Sequence, residues 1–144
     1  MLKNIPSILP PELLKILMEM GHGDEIVIAD GNFPGASLAK RLVRCDGHNI
    51  PELLDAILKF FPLDQYVDKP LSLMAAPLTD KENPTIWNKY RDIVDKHEKD
   101  QKEFNQIERF AFYDQAKKSY AIISTGEKAL LANIILKKGV VIEK

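Results

Sequence analysis

The sequence predicts an α/β fold, a single compact domain in which helices flank a central sheet of short strands. Its 144 residues are 45% apolar and 28% charged, a balance typical of a globular domain with its own core. Short apolar runs of strand length alternate with segments of helical periodicity. No linker-like or low-complexity tract divides the chain, so we expect one domain over residues 1–144.

The first predicted helix and strand surround two polar side chains. Pro11 opens the helix, Glu12 suits the positive end of its dipole, and the leucines that follow form an apolar face up to Gly21. The run 26–29 is apolar and rich in β-branched residues, which favours a strand. That strand would hold His22 before it and Asp30, followed by turn-forming residues, after it. Gly21 and Gly23 can each take the positive φ of a tight turn.

The middle of the chain contains the next predicted elements. Residues 33–37 are predicted as a loop, 41–44 as a short strand, and 71–76 as another strand. Asn49 and Pro51 begin a second helix that continues to Phe61. Asn83 and Pro84 are predicted to cap and begin a third helix, whose apolar positions are Ile86, Trp87, Tyr90, Ile93 and Val94. The charged run 97–103 indicates a solvated helix face or a connection.

The last third alternates the two element types again. Residues 108–119 are predicted as a short helix, and 120–125 as a strand that ends at a glycine turn. A final strand covers 133–136. Strands interleaved with helices in this way are typical of an α/β domain.

Composition excludes several classes of protein. The net charge of −1, with both signs well mixed, argues against a nucleic-acid-binding protein. No apolar run approaches the roughly 20 residues that span a bilayer, and charged residues interrupt any N-terminal signal segment. Cys45, the one cysteine, excludes an intramolecular disulfide and suits a reducing compartment. We therefore expect a soluble cytoplasmic protein.

Known cofactor and metal signatures are missing from the sequence. It contains no glycine-rich dinucleotide motif, phosphate-binding loop, nucleophile elbow or cysteine pair. His22, His48 and His97 lie far apart without metal-ligand spacing. We expect His48 and His97 to face solvent, and we predict neither a cofactor nor a metal.

A set of polar residues remains as a candidate site. Imidazole, carboxylate, guanidinium, phenol and amide groups bind sugar hydroxyls, and an imidazole can also move a proton near neutral pH. Taken singly, each residue also has a structural explanation, such as a turn, a surface ion pair, a core edge or a strand cap. Their combination favours a small-molecule site. The candidates are His22, Asp30, Arg109, Tyr113, Tyr120 and Asn133.

Four motifs give the chain a resemblance to a known family. The segments 21–25 with Asp30, 109–113, 125–127 and 133–139 resemble the L-fucose mutarotase and D-ribose pyranase family at matching spacing, over residues 1–140. The resemblance implies an RbsD-like fold and an enzyme that interconverts the anomers of a free monosaccharide without a cofactor. It also implies a ring-shaped homo-oligomer, typically a decamer, with sites near subunit contacts.

The resemblance also assigns roles by position. His22 matches the family's proton donor, while Asp30, Arg109 and the segment Leu131-Ala132-Asn133 match its sugar-contacting positions. The run Arg-Phe-Ala-Phe-Tyr is similar to the fucose branch, because the ribose branch carries histidine at the position of Arg109. L-fucose is therefore the expected sugar. Leu131 stands where the family usually has tyrosine, so the phenol hydroxyl is lost and only an apolar contact remains.

Three alternatives stay open at this point. A D-ribose pyranase-type activity would use the same residues on another sugar. A non-catalytic sugar-binding or transport-accessory protein would bind sugar without accelerating anomer exchange. In a structural oligomer, the polar cluster would serve only subunit contacts.

Overall fold

A computed structural model describes residues 1–79 and 83–144. In this part of the chain five helices and six strands follow one another, and none of the helices is long and apolar enough to cross a membrane. In chain order they are α1 (Pro11–Glu19), β1 (Glu25–Ala29), α2 (Gly35–Leu38), β2 (Leu42–Cys45), α3 (Ile50–Leu58), β3 (Leu71–Met74), α4 (Ile86–His97), β4 (Phe104–Ile107), α5 (Arg109–Lys118), β5 (Ala121–Thr125) and β6 (Ile134–Lys137).

The strands form one mixed sheet in the order β2-β5-β1-β6-β3-β4. β1, β5 and β2 are parallel, β3 and β4 are parallel, and β6 is antiparallel to both of its neighbours, β1 and β3. Five strands therefore point one way and β6 points the other. The carboxyl end of the sheet is where those five strands finish and β6 begins, and the amino end is the opposite margin.

The core lies on both faces of this sheet. Ile26 and Ile28 pack with α1, α3 and α4 on one face. Val27 and Ala29 point to the other face, where Phe112 of α5 is fully buried. This alternation follows from the two-residue period of a strand, and it explains why β1 is apolar throughout.

The predicted α/β class is confirmed, as are the helices and strands assigned on strong apolar patterns. Two local expectations were wrong, and one strand was not predicted. Residues 33–37 are not all loop, because α2 makes one short turn there. The N-cap of α4 is Thr85 rather than Asn83, so Pro84 precedes the helix. β4 was not predicted, because an edge strand with two polar central residues lacks an apolar signal.

The turn between α1 and β1 uses only one of its two glycines for special backbone geometry. Gly23 has a φ of +86°, which favours glycine. Gly21, in contrast, follows an extended Met20 that ends the helix and has no positive φ. Of the two glycines that could take a positive φ, Gly23 does so and Gly21 does not.

Candidate functional site

His22 lies at the amino end of the sheet, in the turn between α1 and β1. Its Nε2 atom is 3.0 Å from Oδ1 of Asp64. The His22 side chain is 45% exposed, whereas that of Asp64 is only 5% exposed. The Tyr66 ring lies against the imidazole, with centroids 5.4 Å apart. A solvent-accessible imidazole is thus anchored on a buried carboxylate.

The charge of Asp64 determines which nitrogen of His22 carries the proton. Burial by itself would raise the pKa of Asp64, but hydrogen bonds from the Tyr66 N–H and from His22, with the charges of His22 and Lys137, hold that pKa below its usual value. An ionised carboxylate can only accept hydrogen bonds, so Nε2 of His22 carries the hydrogen. In the neutral imidazole, Nδ1 then holds the lone pair. This arrangement suits a general acid or base that acts through Nδ1.

This arrangement predicts how stability depends on pH. Because the pKa of Asp64 is lowered in the folded chain, its stabilising effect is present above the unfolded value of about 3.9 and is lost as pH falls through the folded value. We expect wild type to exceed Asp64→Asn by about 1–2 kcal/mol in unfolding free energy near neutral pH. The gap should narrow below about pH 4 in urea denaturation series.

The matched control for this prediction is Asp68→Asn, since Asp68 is exposed a few residues further along the same segment. We expect that variant to match wild type in unfolding free energy near neutral pH. A gap between wild type and Asp64→Asn that stays constant down to about pH 3 would contradict the assigned charge of Asp64.

At the carboxyl end of the sheet, Asp30 and Asn133 are joined by a buried hydrogen bond. The backbone N–H of Asp30 donates to Oδ1 of Asn133 at 2.7 Å, and the Asn32 N–H donates to Oδ1 of Asp30 at 3.0 Å. Burial raises the pKa of Asp30, and the negative charge of Glu127 adds to this, while nearby backbone N–H groups oppose it. The pairing arises because β6 begins beside the end of β1, which brings together residues 103 positions apart.

The segment Leu131-Ala132-Asn133 enters β6 in an uncommon conformation. Leu131 has a φ of +55°, a region that costs a non-glycine residue roughly 1 kcal/mol. Two side chains of α4 hold the segment: Trp87 Nε1 donates to the Leu131 carbonyl at 2.9 Å, and the buried Tyr90 hydroxyl donates to the Ala132 carbonyl at 2.6 Å. These bonds fix the backbone that leads to Asn133.

Arg109 and Tyr113 extend the same end of the sheet from the first turns of α5. Glu108 caps this helix by accepting hydrogen bonds from the N–H groups of residues 110 and 111. Arg109 Nε donates to the Tyr113 hydroxyl at 3.1 Å, and its guanidinium also lies 5.4 Å from the Phe110 ring centroid. The Tyr113 ring contacts Phe33, which follows Asp30 in the chain. The exposed guanidinium is thereby linked to the Asp30 region.

The structure divides the predicted site residues into two groups. The carboxyl-end group comprises Asp30, Arg109, Tyr113, Leu131, Ala132 and Asn133. The amino-end group comprises His22 and Tyr120. The five residues of β1 separate the two groups by about 17 Å. A single chain therefore does not bring His22 and Asp30 together.

Tyr120 lies away from Tyr113, although both residues were grouped in the sequence. Its N–H donates to the Glu25 carbonyl at the start of β1, and its hydroxyl donates to Glu19 at 3.1 Å. The Arg41 guanidinium covers its ring at 3.9 Å from the centroid. Tyr120 is thus held among residues near the end of α1.

Sequence reasoning missed Asp64. It is 42 positions from His22, and only the packing of its segment beside the end of β6 brings the two side chains into contact. A solitary aspartate after Pro62 and Leu63 gives no signal of this contact in the sequence. A hydrogen bond between two chain segments is visible only in three dimensions.

The other two histidines make separate contacts. His97 is 17% exposed and its Nε2 lies 2.6 Å from Oδ1 of Asp55, so the expectation that it faces solvent was wrong. Packing of α4 against α3 encloses it. His48 is partly exposed and contacts Glu52 at 3.2 Å. Over residues 1–79 and 83–144, no three histidine, cysteine or acidic side chains cluster as a metal site.

A family model and two curated relatives match almost the whole chain. Residues 3–141 match the model of the RbsD / FucU transport protein family. A fucose mutarotase from Danio rerio is 48% identical over 145 residues, covering 97% of this chain and 94% of the relative. A fucose mutarotase from Homo sapiens is 46% identical, covering 96% of this chain and 94% of the relative.

Two solved structures are similar to this chain over nearly its whole length. A fucose mutarotase in complex with L-fucose from Streptococcus pneumoniae is 55% identical with a TM-score of 0.93, covering 98% of this chain and 100% of that one. Bacillus subtilis RbsD complexed with D-ribose shares the fold, with a TM-score of 0.74 and 23% identity, covering 95% of this chain and 98% of that one. The chain therefore belongs to the RbsD/FucU family.

Proposed function

We propose that this chain is an L-fucose mutarotase, a cofactor-free isomerase that interconverts the α and β anomers of the free sugar. The observation that carries the proposal is the His22–Asp64 pair, in which an accessible imidazole is held at 3.0 Å from a buried carboxylate. The relatives named fucose mutarotase, and the similar structure that holds L-fucose, support this sugar.

The chemistry requires two proton transfers. Opening the hemiacetal removes the proton of the anomeric hydroxyl and adds a proton to the ring oxygen, while the bond from the anomeric carbon to the ring oxygen breaks. The aldehyde then rotates and recloses on its other face, and the two protons return. A positioned acid–base group typically accelerates such steps about 10²–10⁴-fold. We assign to Nδ1 of His22, which Asp64 leaves available, the proton transfer at one of these two oxygens, the ring oxygen or the anomeric oxygen.

The carboxyl-end group supplies the groups that hold the sugar. The Asp30 carboxylate and the Arg109 guanidinium make charge-assisted hydrogen bonds with hydroxyls, which are stronger than neutral ones. Tyr113 offers an aromatic face beside Arg109, and Asn133 holds Asp30 in place. Leu131, which is partly exposed, contributes apolar contact in this proposal, while the side chain of Ala132 is fully buried in the core and makes no such contact.

A neighbouring copy of the chain would join the two groups. Because β1 keeps His22 about 17 Å from Asp30, one sugar cannot touch both residues in the same chain. A homo-oligomer in which the amino end of one subunit meets the carboxyl end of the next would complete the site. We propose a ring-shaped assembly, expected to be a decamer, in the cytoplasm, where the free thiol of buried Cys45 would stay reduced.

Magnetisation transfer between the anomeric protons of L-fucose at equilibrium tests the function directly. We expect faster α–β exchange with the protein than without it, and slower catalysis with D-ribose. Faster exchange for D-ribose than for L-fucose would assign a D-ribose pyranase-type activity instead. Sugar-dependent thermal stabilisation without accelerated exchange would indicate a non-catalytic sugar-binding protein.

Leu131 offers a separate test of the site. Leu131→Tyr introduces the phenol that the family usually has at this position, which can add a hydrogen bond and a ring contact with the sugar. We expect kcat/KM for L-fucose exchange to rise about 3–10-fold, the value of one aromatic contact. Leu131→Phe is the control, because it adds the ring without the hydroxyl. Equal or lower kcat/KM in Leu131→Tyr would show that this position does not face the sugar.

A further inference from the structure

We propose that Lys138 is the positioning residue for His22, because it ties the end of α1 and the His22 turn to the end of β6. The proposal rests on the mutarotase function stated above. It assigns to Lys138 a role in the geometry of the reaction without contact with the sugar.

The side chain of Lys138 binds the end of α1. Its Nζ atom donates to the Leu17 carbonyl at 2.9 Å and also to the Met20 carbonyl. The last carbonyls of a helix have no partner within the helix, and they carry its negative dipole end. α1 has no basic residue in its last turn, so Lys138 supplies this cation from another part of the chain.

The backbone of Lys138 binds the other side of the same turn. The Gly23 N–H donates to the Lys138 carbonyl at 2.8 Å, and the Lys138 N–H donates to the Asp24 carbonyl at 2.8 Å. His22 therefore lies between two anchored points, Met20 before it and Gly23 after it. A single residue, Lys138 directly after β6, holds both points.

The same end of β6 also holds Asp64. The Asp64 N–H donates to the Lys137 carbonyl at 2.9 Å, and Leu63 forms a β-bridge with Lys138. Gly139 allows this close approach, since a Cβ at that position would come within 2.6 Å of the Leu63 carbonyl oxygen. The His22 turn and its carboxylate partner are thus fixed on two consecutive residues, the last residue of β6 and the one that follows it.

The consequence concerns the distance between His22 and Asp64. Without the ammonium, the end of α1 and the His22 turn would lose two of the hydrogen bonds that set their position relative to Asp64. A misplacement of about 1 Å can cost on the order of 100-fold in rate. The carboxyl-end group lies at the opposite margin of the sheet, so sugar binding there should change little.

Lys138→Met tests this role, with Lys117→Met as the control. The control removes the same charge from an exposed position in the last turn of α5. We expect Lys138→Met to lower kcat for L-fucose exchange about 10–100-fold while KM stays within about threefold. Lys117→Met should match wild type in both constants. A folded Lys138→Met protein with wild-type kcat would overturn the proposal.

Nitrogen-15 NMR of the His22 ring gives a readout that does not need activity. In wild type we expect the tautomer with the hydrogen on Nε2, and in Lys138→Met a shift toward a mixture of tautomers. A loss of thermal stability with His22 ring signals unchanged would show that Lys138 only stabilises the fold. If Lys138→Met does not fold, Lys138→Gln is used instead. Its side chain is shorter and uncharged, so we expect the same kcat loss and ring shift, and wild-type values there would overturn the proposal.

The two readouts also separate this proposal from the proposed function. Absence of accelerated exchange in the wild-type protein would refute the mutarotase activity. The His22 ring signals would still show whether Lys138 sets the position of His22.

Discussion

Replacing His22 with alanine is expected to lower catalysis of L-fucose anomer exchange by about 100-fold or more, since it removes the proposed acid–base group. The fold should persist, because the His22 side chain is 45% exposed and Asp64 keeps its hydrogen bond from the Tyr66 N–H. Magnetisation transfer between the anomeric protons measures the rate, and thermal denaturation checks the fold.

His48→Ala is the matched control for this experiment. His48 also lies in a turn and contacts an acidic side chain, Glu52 at 3.2 Å, but it precedes α3 away from the His22 turn. We expect its exchange rate to equal that of wild type. Unchanged exchange in His22→Ala would remove His22 from the mechanism.

Asp30→Asn is expected to have the second large effect, on sugar binding. The variant keeps the shape of the side chain and loses its charge, so charge-assisted hydrogen bonds to sugar hydroxyls become neutral ones. We expect KM for L-fucose to rise about 10–100-fold, since hydrogen bonds to charged groups are worth about 1.5–3 kcal/mol. kcat should change much less, because proton transfer is assigned to His22.

The pH dependence of binding gives a second measure of the same residue. Burial raises the pKa of Asp30, so the ionised form that binds hydroxyls is lost as pH falls through this raised value, at a higher pH than for an exposed aspartate. We therefore expect kcat/KM of wild type to fall at acid pH, and we expect this fall to be smaller in Asp30→Asn.

The raised pKa of Asp30 affects folding stability in the opposite direction from sugar binding. A buried carboxyl with a raised pKa makes the folded state less stable as pH rises through the interval between its ordinary and raised values. Removing this charge in Asp30→Asn is therefore expected to cost no unfolding free energy at neutral pH.

The control for the effect on KM is Asp46→Asn. Asp46 lies at the end of β2 in an exposed pair with Arg44, and this variant should keep the wild-type KM. A wild-type KM in Asp30→Asn would contradict the assigned role.

Local chemistry in the sequence was sufficient to predict most of the fold. Pro11 and Pro51, each followed by glutamate and leucines, mark the starts of α1 and α3, and apolar runs mark β1 and β5. These signals are reliable because helix starts and buried strands depend on adjacent residues. The motifs that resemble the family were also local, and the family itself is confirmed by comparison.

Weak elements were missed for a related reason. β4 lies at the edge of the sheet and is only partly buried, so its central residues Asn105 and Gln106 need not be apolar. α2 is four residues long, which is too short for helical periodicity to be recognised. Both elements exist because the packed structure around them supplies their contacts.

The sequence and the tertiary structure each determined part of the site. The sequence by itself determined the α/β class, the family, and the chemistry available at His22, Asp30 and Arg109. It also predicted a strand that separates His22 from Asp30, but only the tertiary structure paired His22 with Asp64. The physical reason is that sheet pairing brings together residues far apart in sequence, while the length of a strand separates residues that are near. The strand length can be read from the local run of apolar residues, whereas the contact with Asp64 is not encoded in any local stretch of the chain.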